Sequence, residues 1–220
     1  MAEVNRLARY PVSTGRRELR PAVTDEDRRI SRQFGFDYFD GDRKHGYGGY
    51  RYNSRFWTGV AEDLRDAYGI KAGSKVLDIG SGKGFLLHDL RIAAPGVETF
   101  GLDISEYGLK NSMEDVRPTV VRGTAVSLPF ADAAFDVVLC INTIHNLPLD
   151  LCKQAIREIE RVKRPGGHSY IQVDSWLSDK QRDDFVSWVL TAQTYFDPDG
   201  WKALFAEAGY TGDYYWTLTE

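Results

Sequence analysis

The sequence predicts an α/β fold: a doubly wound, mostly parallel sheet of six to seven strands with an N-terminal helical/loop extension. Three observations carry this. From Lys75 onward, short apolar runs alternate with segments of helical period, the pattern of right-handed βαβ units. Between the first apolar run and the first such helix, glycines alternate at Gly80, Gly82 and Gly84. Residues 1–53 follow neither period and read as an extension to a main domain of residues 54–220.

Along the chain, residues 1–23 look irregular, with Pro11 and Pro21 framing a Ser/Thr/Gly/Arg-rich piece. Thr24 followed by Asp27 has the form of a capping box, so a helix is expected over DEDRRISRQF. Residues 37–53 are rich in Gly, Asp and Tyr and read as a long loop. Ser54 is expected to cap a helix over RFWTGVAEDLRDAYG. Phe56/Trp57, Val60/Ala61, Leu64 and Ala67/Tyr68 share one face of it, and Gly69 stops it. KVLDI, ETFGLDI, PTVVRG, FDVVLCI and HSYIQVD are strand candidates. FLLHDLRIAA, SEYGLKNSMEDV and DLCKQAIREIERVK are the helices between them. Pro165-Gly166-Gly167 is a hard stop before HSYIQVD. Asp197 and Pro198 stand at helix-start positions, and Gly209 closes that helix. The last run, DYYWTLT, alternates like an antiparallel edge strand.

The chain has 220 residues, 42% of them hydrophobic, enough for one sizeable core. No apolar run approaches the roughly 20 residues of a membrane span, and the N-terminus lacks an apolar signal region. With two cysteines and no disulfide framework, a cytoplasmic location is the expectation. The net charge of −4 is uneven: residues 1–55 hold 12 Lys and Arg against 8 Asp and Glu, leaving 16 against 24. An acidic main body argues against a broad nucleic-acid footprint. The basic N-terminal part is suited to an anionic small molecule or is simply solvated.

The most informative stretch is VLDIGSGKGF, residues 76–85. Its glycines permit a tight turn and close approach of backbone to a ligand. About 20 residues later a second strand ends in Asp103, where a carboxylate can accept from ribose hydroxyls. The spacing G-x-G-x-G differs from the dinucleotide fingerprint, and the P-loop pattern is absent. Asp78, two residues before the first glycine, would repel a pyrophosphate but could hold an ammonium. S-adenosylmethionine is therefore favoured over NAD.

In four ordered pieces, VLDIGSGKG, GLDIS, GTAVSLPFADAAFDVVLCINTIHNL and REIERVKRPGGHSYI, the chain resembles the class I S-adenosylmethionine-dependent methyltransferases. The resemblance implies a Rossmann-like sheet of seven strands with one antiparallel strand at its end. Only one clear strand follows the last helix here, so the seventh is in question. It further implies that Asp78, Gly80, Ser81 and Gly82 line the methionine part of the cofactor, and that Asp103 holds the ribose. Ile104 would pack on adenine, Thr124 and Ala125 would border its edge, and Asn142 would lie under the methionine moiety. Thr124 stands where many relatives carry an acidic residue, so that contact to adenine is weakened.

Methyl transfer from a sulfonium needs an aligned acceptor and excluded water, and a base only when the acceptor carries a proton. His145, just past the fourth strand, is the candidate base; it could instead hydrogen-bond its loop or orient substrate. Asp174, at the end of the fifth strand, is a second candidate, or a cap for the following helix. Trp176 beside it is placed in the acceptor pocket. GYGGYRYNSRFW, residues 46–57, suggests a lid in which Tyr47, Tyr50, Arg51, Tyr52 and Arg55 bind the acceptor, or rings that dock the extension onto the domain. The fourth strand ends without a carboxylate for a hard cation, so no metal is expected. The reading is methylation of an oxygen or nitrogen of a small metabolite, an anionic one being suggested by the basic N-terminal part, without nucleic-acid or membrane partners; the oligomeric state is open. The alternatives are a protein methyltransferase and a non-catalytic cofactor-binding scaffold.

Overall fold

The computed structural model describes residues 1–11 and 23–218. The piece around Pro21 lies outside the described residues. Six strands, β1 (Lys75–Ile79), β2 (Glu98–Asp103), β3 (Val120–Arg122), β4 (Phe135–Ile141), β5 (Lys163–Ser175) and β6 (Asp213–Leu218), form one sheet in the order β3-β2-β1-β4-β5-β6. Every neighbouring pair is parallel. The order reverses between β1 and β4, so a crevice opens at the carboxyl ends of those strands.

Period two sends alternate residues to opposite faces. Val76, Val137 and Leu139 pack on one side with Val60, Leu64, Leu87 and Leu90. Those residues belong to α3 (Ser54–Tyr68) and α4 (Phe85–Ala93). Leu77, Ile79, Val138 and Cys140 pack on the other side with Ile156, Ile159, Trp201 and Phe205. These come from α6 (Leu149–Val162) and α8 (Pro198–Ala208). Each fully buried aliphatic side chain contributes roughly 2 kcal/mol, so the two cores fix the sheet. No described helix is long and apolar enough to cross a membrane.

Helix starts and stops follow local chemistry. Thr24 and Asp27 form the expected capping box for α1 (Asp25–Ser31). Gly69 and Gly209 end their helices at φ +62° and +76°. Asn53, rather than Ser54, caps α3, its side chain accepting from the Arg55 amide. The stretch expected as a long loop holds α2 (Phe36–Phe39) and a 3-10 turn at Arg43–His45, and the helix expected over SEYGLKNSMEDV is the short α5 (Glu106–Lys110).

Two expectations need correction. DYYWTLT does not run antiparallel: β6 pairs in parallel with β5, Tyr170 opposite Asp213 through Ser175 opposite Leu218. Alternation reports one buried face and says nothing about direction. Direction is set by the connection, here a long crossover through α7 (Asp179–Trp188) and α8. The Pro165-Gly166-Gly167 stop is a bulge inside β5: Lys163 pairs with Phe135, and pairing resumes at His168 with Val137. The first residues are tied to the sheet. Tyr214 donates to the Ala2 carbonyl at 3.0 Å, and the Val4 amide donates to the Tyr214 carbonyl at 2.9 Å. Glu3 thereby adds a bridge to the outer edge of β6.

Candidate active site

A cavity of about 1050 Å³ opens at the carboxyl ends of β1, β2 and β4. One half is built by the glycine turn. Gly80 at φ +81° lies so close to Thr143 that a side chain there would collide with it. Gly80 and Ser81 both donate their amides to the Leu102 carbonyl, at 2.7 and 3.1 Å, which pins the turn to β2. Asp103 is held from two sides: the Gly82 amide donates to Oδ2 and the Ser105 amide to Oδ1, each at 2.7 Å. Burial raises the Asp103 pKa, opposed by the backbone donors of Ser105, Gly82 and Ile104. Asp78 is 6% exposed and lines the cavity, with no hydrogen bond to any described residue. Burial first and the charge of Asp103 second push its carboxyl up to about 7.

This donor set fits the cofactor that the sequence suggested. A buried carboxylate without a partner calls for a cation, which the ammonium of an S-adenosylmethionine would supply at Asp78. Asp103, fixed by two amides, keeps lone pairs for ribose hydroxyls. Ile104 is 54% exposed beside Gly123, Thr124 and Ala125 in the same wall, a surface on which an adenine could rest. Asn142 also lines the cavity, at φ +51°. Ser81 lines it as well, but its Oγ is buried without a partner against Gly101. All nine cofactor residues read from the sequence thus lie around one cavity.

The other half is aromatic. Tyr47 and Tyr50 stand with ring centroids 4.3 Å apart, and Tyr50 stacks on Phe85 of α4 at 4.8 Å. Phe34, Tyr38 and Phe39 continue this wall. Tyr10 and Trp57, 4.9 Å apart, form another part of it, with Tyr215 and Trp216 of β6. Burial raises Tyr38 and Tyr50 well above the ordinary phenol range and pushes Tyr10 up to about 12. These phenols stay protonated near neutral pH.

The remaining expected residues fall elsewhere. Arg51, Tyr52, Arg55 and Trp176 are not in the lining. The Tyr52 hydroxyl donates to Asp89 at 2.7 Å, the Arg55 guanidinium lies over Phe56 at 4.6 Å, and Trp176 packs on Phe185 and Tyr195. His145 and Asp174 are brought together, yet outside the lining. His145 is 3% exposed. Its Nδ1 accepts the Asp174 amide at 3.2 Å, and Nε2 lies 3.6 Å from the Asp174 carboxylate. Burial lowers its pKa, opposed by Asp174. The geometry is that of a loop tie between β4 and β5. Asp174 does not cap the next helix, since Ser178 does.

Sequence reasoning missed Lys83, the lysine inside the glycine turn. Its Nζ donates to Asp40 Oδ2 at 2.6 Å and to the Tyr50 carbonyl at 2.8 Å. Tyr107 donates to the same Asp40 oxygen at 2.6 Å. It also missed Tyr10, Trp57, Leu147, Gln172 and the β6 residues Tyr215, Trp216 and Thr217. Trp57 was visible as an apolar helix position; the others carried no signal of proximity.

A family model described as a methyltransferase domain matches residues 77–171. A methyltransferase of Bacillus subtilis, YcgJ, is 34% identical over 127 residues, covering 53% of this chain and 47% of that protein. The 27-O-demethylrifamycin SV methyltransferase of Amycolatopsis mediterranei is 35% identical over 118 residues, covering 50% and 42%. Demethylmenaquinone methyltransferase of Staphylococcus aureus is 36% identical over 106 residues, covering 45% and 42%. The aligned part is about half the length of these curated relatives. The YcgJ crystal structure superposes with a TM-score of 0.55 at 25% identity, covering 67% of each chain.

Proposed function

We propose that the chain, whose sheet region is similar to class I S-adenosylmethionine-dependent methyltransferases, transfers a methyl group to an oxygen or nitrogen of a small cytoplasmic metabolite by in-line displacement. The observation that carries this is the joining of two unlike halves in one cavity: the Asp78–Asp103 glycine turn and the aromatic wall. At about 1050 Å³, the cavity is at the upper end of the usual range for a small-molecule site. It has room for an acceptor beside the cofactor.

Bound S-adenosylmethionine supplies a methyl already activated on a sulfonium. The chain has to bind, align and dry the site. Asp78 holds the ammonium, Asp103 the ribose, and Ile104, Thr124 and Ala125 the adenine. The rings of Tyr10, Tyr47, Tyr50, Trp57 and Trp216 exclude water and present flat surfaces to an acceptor. Among the described lining residues, the ionisable side chains are two aspartates and tyrosines. No lysine, arginine or histidine is there to clamp an anion or serve as base. An acceptor that is uncharged, and that needs little help in losing a proton, suits this lining better than the anionic one suggested by the basic N-terminal segment.

The deep, ring-lined cavity favours a small molecule over a protein side chain. Methyl transfer from labelled S-adenosylmethionine into a cell extract, fractionated by size, tests the reading. Label in the small-molecule fraction, lost with Asp103→Asn, is the expected result. Label in protein would promote the protein-methyltransferase alternative, and cofactor binding without label in any fraction would promote the scaffold.

A further inference from the structure

A directed chain of hydrogen bonds ends on Asn142. It begins at the Arg6 main-chain N–H, which donates to the Tyr170 hydroxyl oxygen at 3.3 Å. The single proton of that hydroxyl goes to Gln172 Oε1 at 2.6 Å. Gln172 therefore turns its NH2 the other way, and Nε2 donates to Thr217 Oγ1 at 2.9 Å. The Thr217 hydroxyl in turn donates to Asn142 Oδ1 at 2.9 Å. The main-chain N–H can only donate, and with each hydroxyl passing its one proton onward the four bonds run in a single direction. Tyr170 and Gln172 are buried, and Tyr170, Gln172 and Thr217 belong to neighbouring parallel strands in register.

The consequence falls on the cavity. With Oδ1 occupied, Asn142 is left with its Nδ2 donors, which bond to no described residue. Asn142 lines the cavity, and the next residue, Thr143, abuts Gly80 of the cofactor turn. We propose that Thr217, with Gln172 and Tyr170 behind it, is a positioning residue that holds the Asn142 NH2 toward the carboxylate of the cofactor's amino-acid end. The two ends of that zwitterion are then sorted by charge: Asp78 takes the ammonium and Asn142 Nδ2 donates to the carboxylate. Reversing the Asn142 amide would turn its oxygen toward the carboxylate and take from the Thr217 hydroxyl the acceptor it has at 2.9 Å. This rests on the methyltransferase reading above and adds three residues from β5 and β6 to it.

Calorimetric titration with S-adenosylhomocysteine and with 5′-methylthioadenosine, which lacks the amino-acid end, tests the proposal. Binding of S-adenosylhomocysteine by the unaltered chain checks the reading itself. Given that binding, Thr217→Val should weaken S-adenosylhomocysteine about tenfold, the effect of losing roughly one oriented hydrogen bond, and leave methylthioadenosine unchanged. Thr217→Ser keeps the hydroxyl and should restore the difference between the two ligands. Unchanged S-adenosylhomocysteine affinity in Thr217→Val would overturn the proposal. So would an equal loss for both ligands, or a failure of Thr217→Ser to rescue in a chain that melts like the unaltered one.

Discussion

Lys83 Nζ lies 2.6 Å from Asp40 Oδ2, with the lysine side chain 8% exposed and the aspartate 21%. This pair ties the cofactor turn to the N-terminal aromatic segment. The same Asp40 accepts the Tyr50 amide on Oδ1 at 2.9 Å, and Ser105, just after Asp103, donates its hydroxyl to the Phe34 carbonyl. The segment is thus anchored both at the glycine turn after β1 and at the turn after β2. Burial raises the Asp40 pKa, but Lys83, Tyr107 and the Tyr50 amide outweigh it, and the carboxyl stays below its ordinary value.

Breaking this tie should loosen the wall before the sheet. Asp40→Asn leaves a nearly buried ammonium without its counter-charge, a loss of about 2 kcal/mol. For a chain of this size that is a fall in Tm of about 5 °C. Amide hydrogen exchange should quicken over residues 36–50 and stay slow in β1 and β4. Equal acceleration across the sheet would mean that the pair supports the whole domain and not the segment.

Asp78 should make cofactor binding release a proton. Its folded pKa is about 7, against roughly 4 for an ordinary aspartate. Between those values the folded chain holds a proton that the unfolded chain has released, so stability falls as pH rises through that window. An ammonium at Asp78 favours the ionised form and drives the proton off. Titration of S-adenosylhomocysteine near pH 6.5, in two buffers of different ionisation enthalpy, should show the release, and affinity should rise from pH 5.5 to 8. Asp78→Asn should abolish the release and flatten the fall of Tm with pH. Equal binding heats in the two buffers would contradict the assignment.

The sheet and the residues of the glycine-turn half of the cavity were legible because their signals are local. Alternating apolar runs, glycines at fixed spacing and an aspartate at a strand end each lie within one element or one turn. What was not legible depends on partners far apart in sequence. Nothing in DYYWTLT says that it runs parallel to β5, because a strand's direction is fixed by the crossover before it. The arginines of GYGGYRYNSRFW attracted a role as anion clamps by residue type alone. The fold turns Tyr47 and Tyr50 toward the cavity and leaves Arg51 and Arg55 outside its lining. Lys83 was in plain view, but Asp40, its partner 43 residues earlier, was not marked by any pattern.

The division within that aromatic stretch gives a contrast between neighbours. Tyr50→Ala removes a ring that contacts Tyr47, Phe39 and Phe85 and opens the wall to water. Acceptor KM should rise and kcat fall, together on the order of tenfold or more in kcat/KM, the cost of about one lost aromatic contact and its burial. Arg51→Ala should leave both constants within about twofold, the range of a substitution outside the pocket. A large effect of Arg51→Ala with a silent Tyr50→Ala would restore the arginine clamp.

His145 should behave as a structural tie. Its carbonyl accepts the Gln193 and Thr194 amides at 2.9 and 3.0 Å, and its ring joins Asp174 as described above. Burial holds its pKa below the ordinary value. The unfolded chain therefore binds a proton near pH 6.5 that the folded chain refuses, and stability from this group is lost as pH falls below that point. Asp78 acts in the opposite sense over part of the same range, so each is read as variant minus unaltered chain. His145→Gln should lower Tm at neutral pH and reduce the acid loss. The pH profile of methyl transfer, measured well below the Tm of both proteins, should keep its shape. Loss of the acid limb of that profile, with Tm unchanged, would make His145 the base instead.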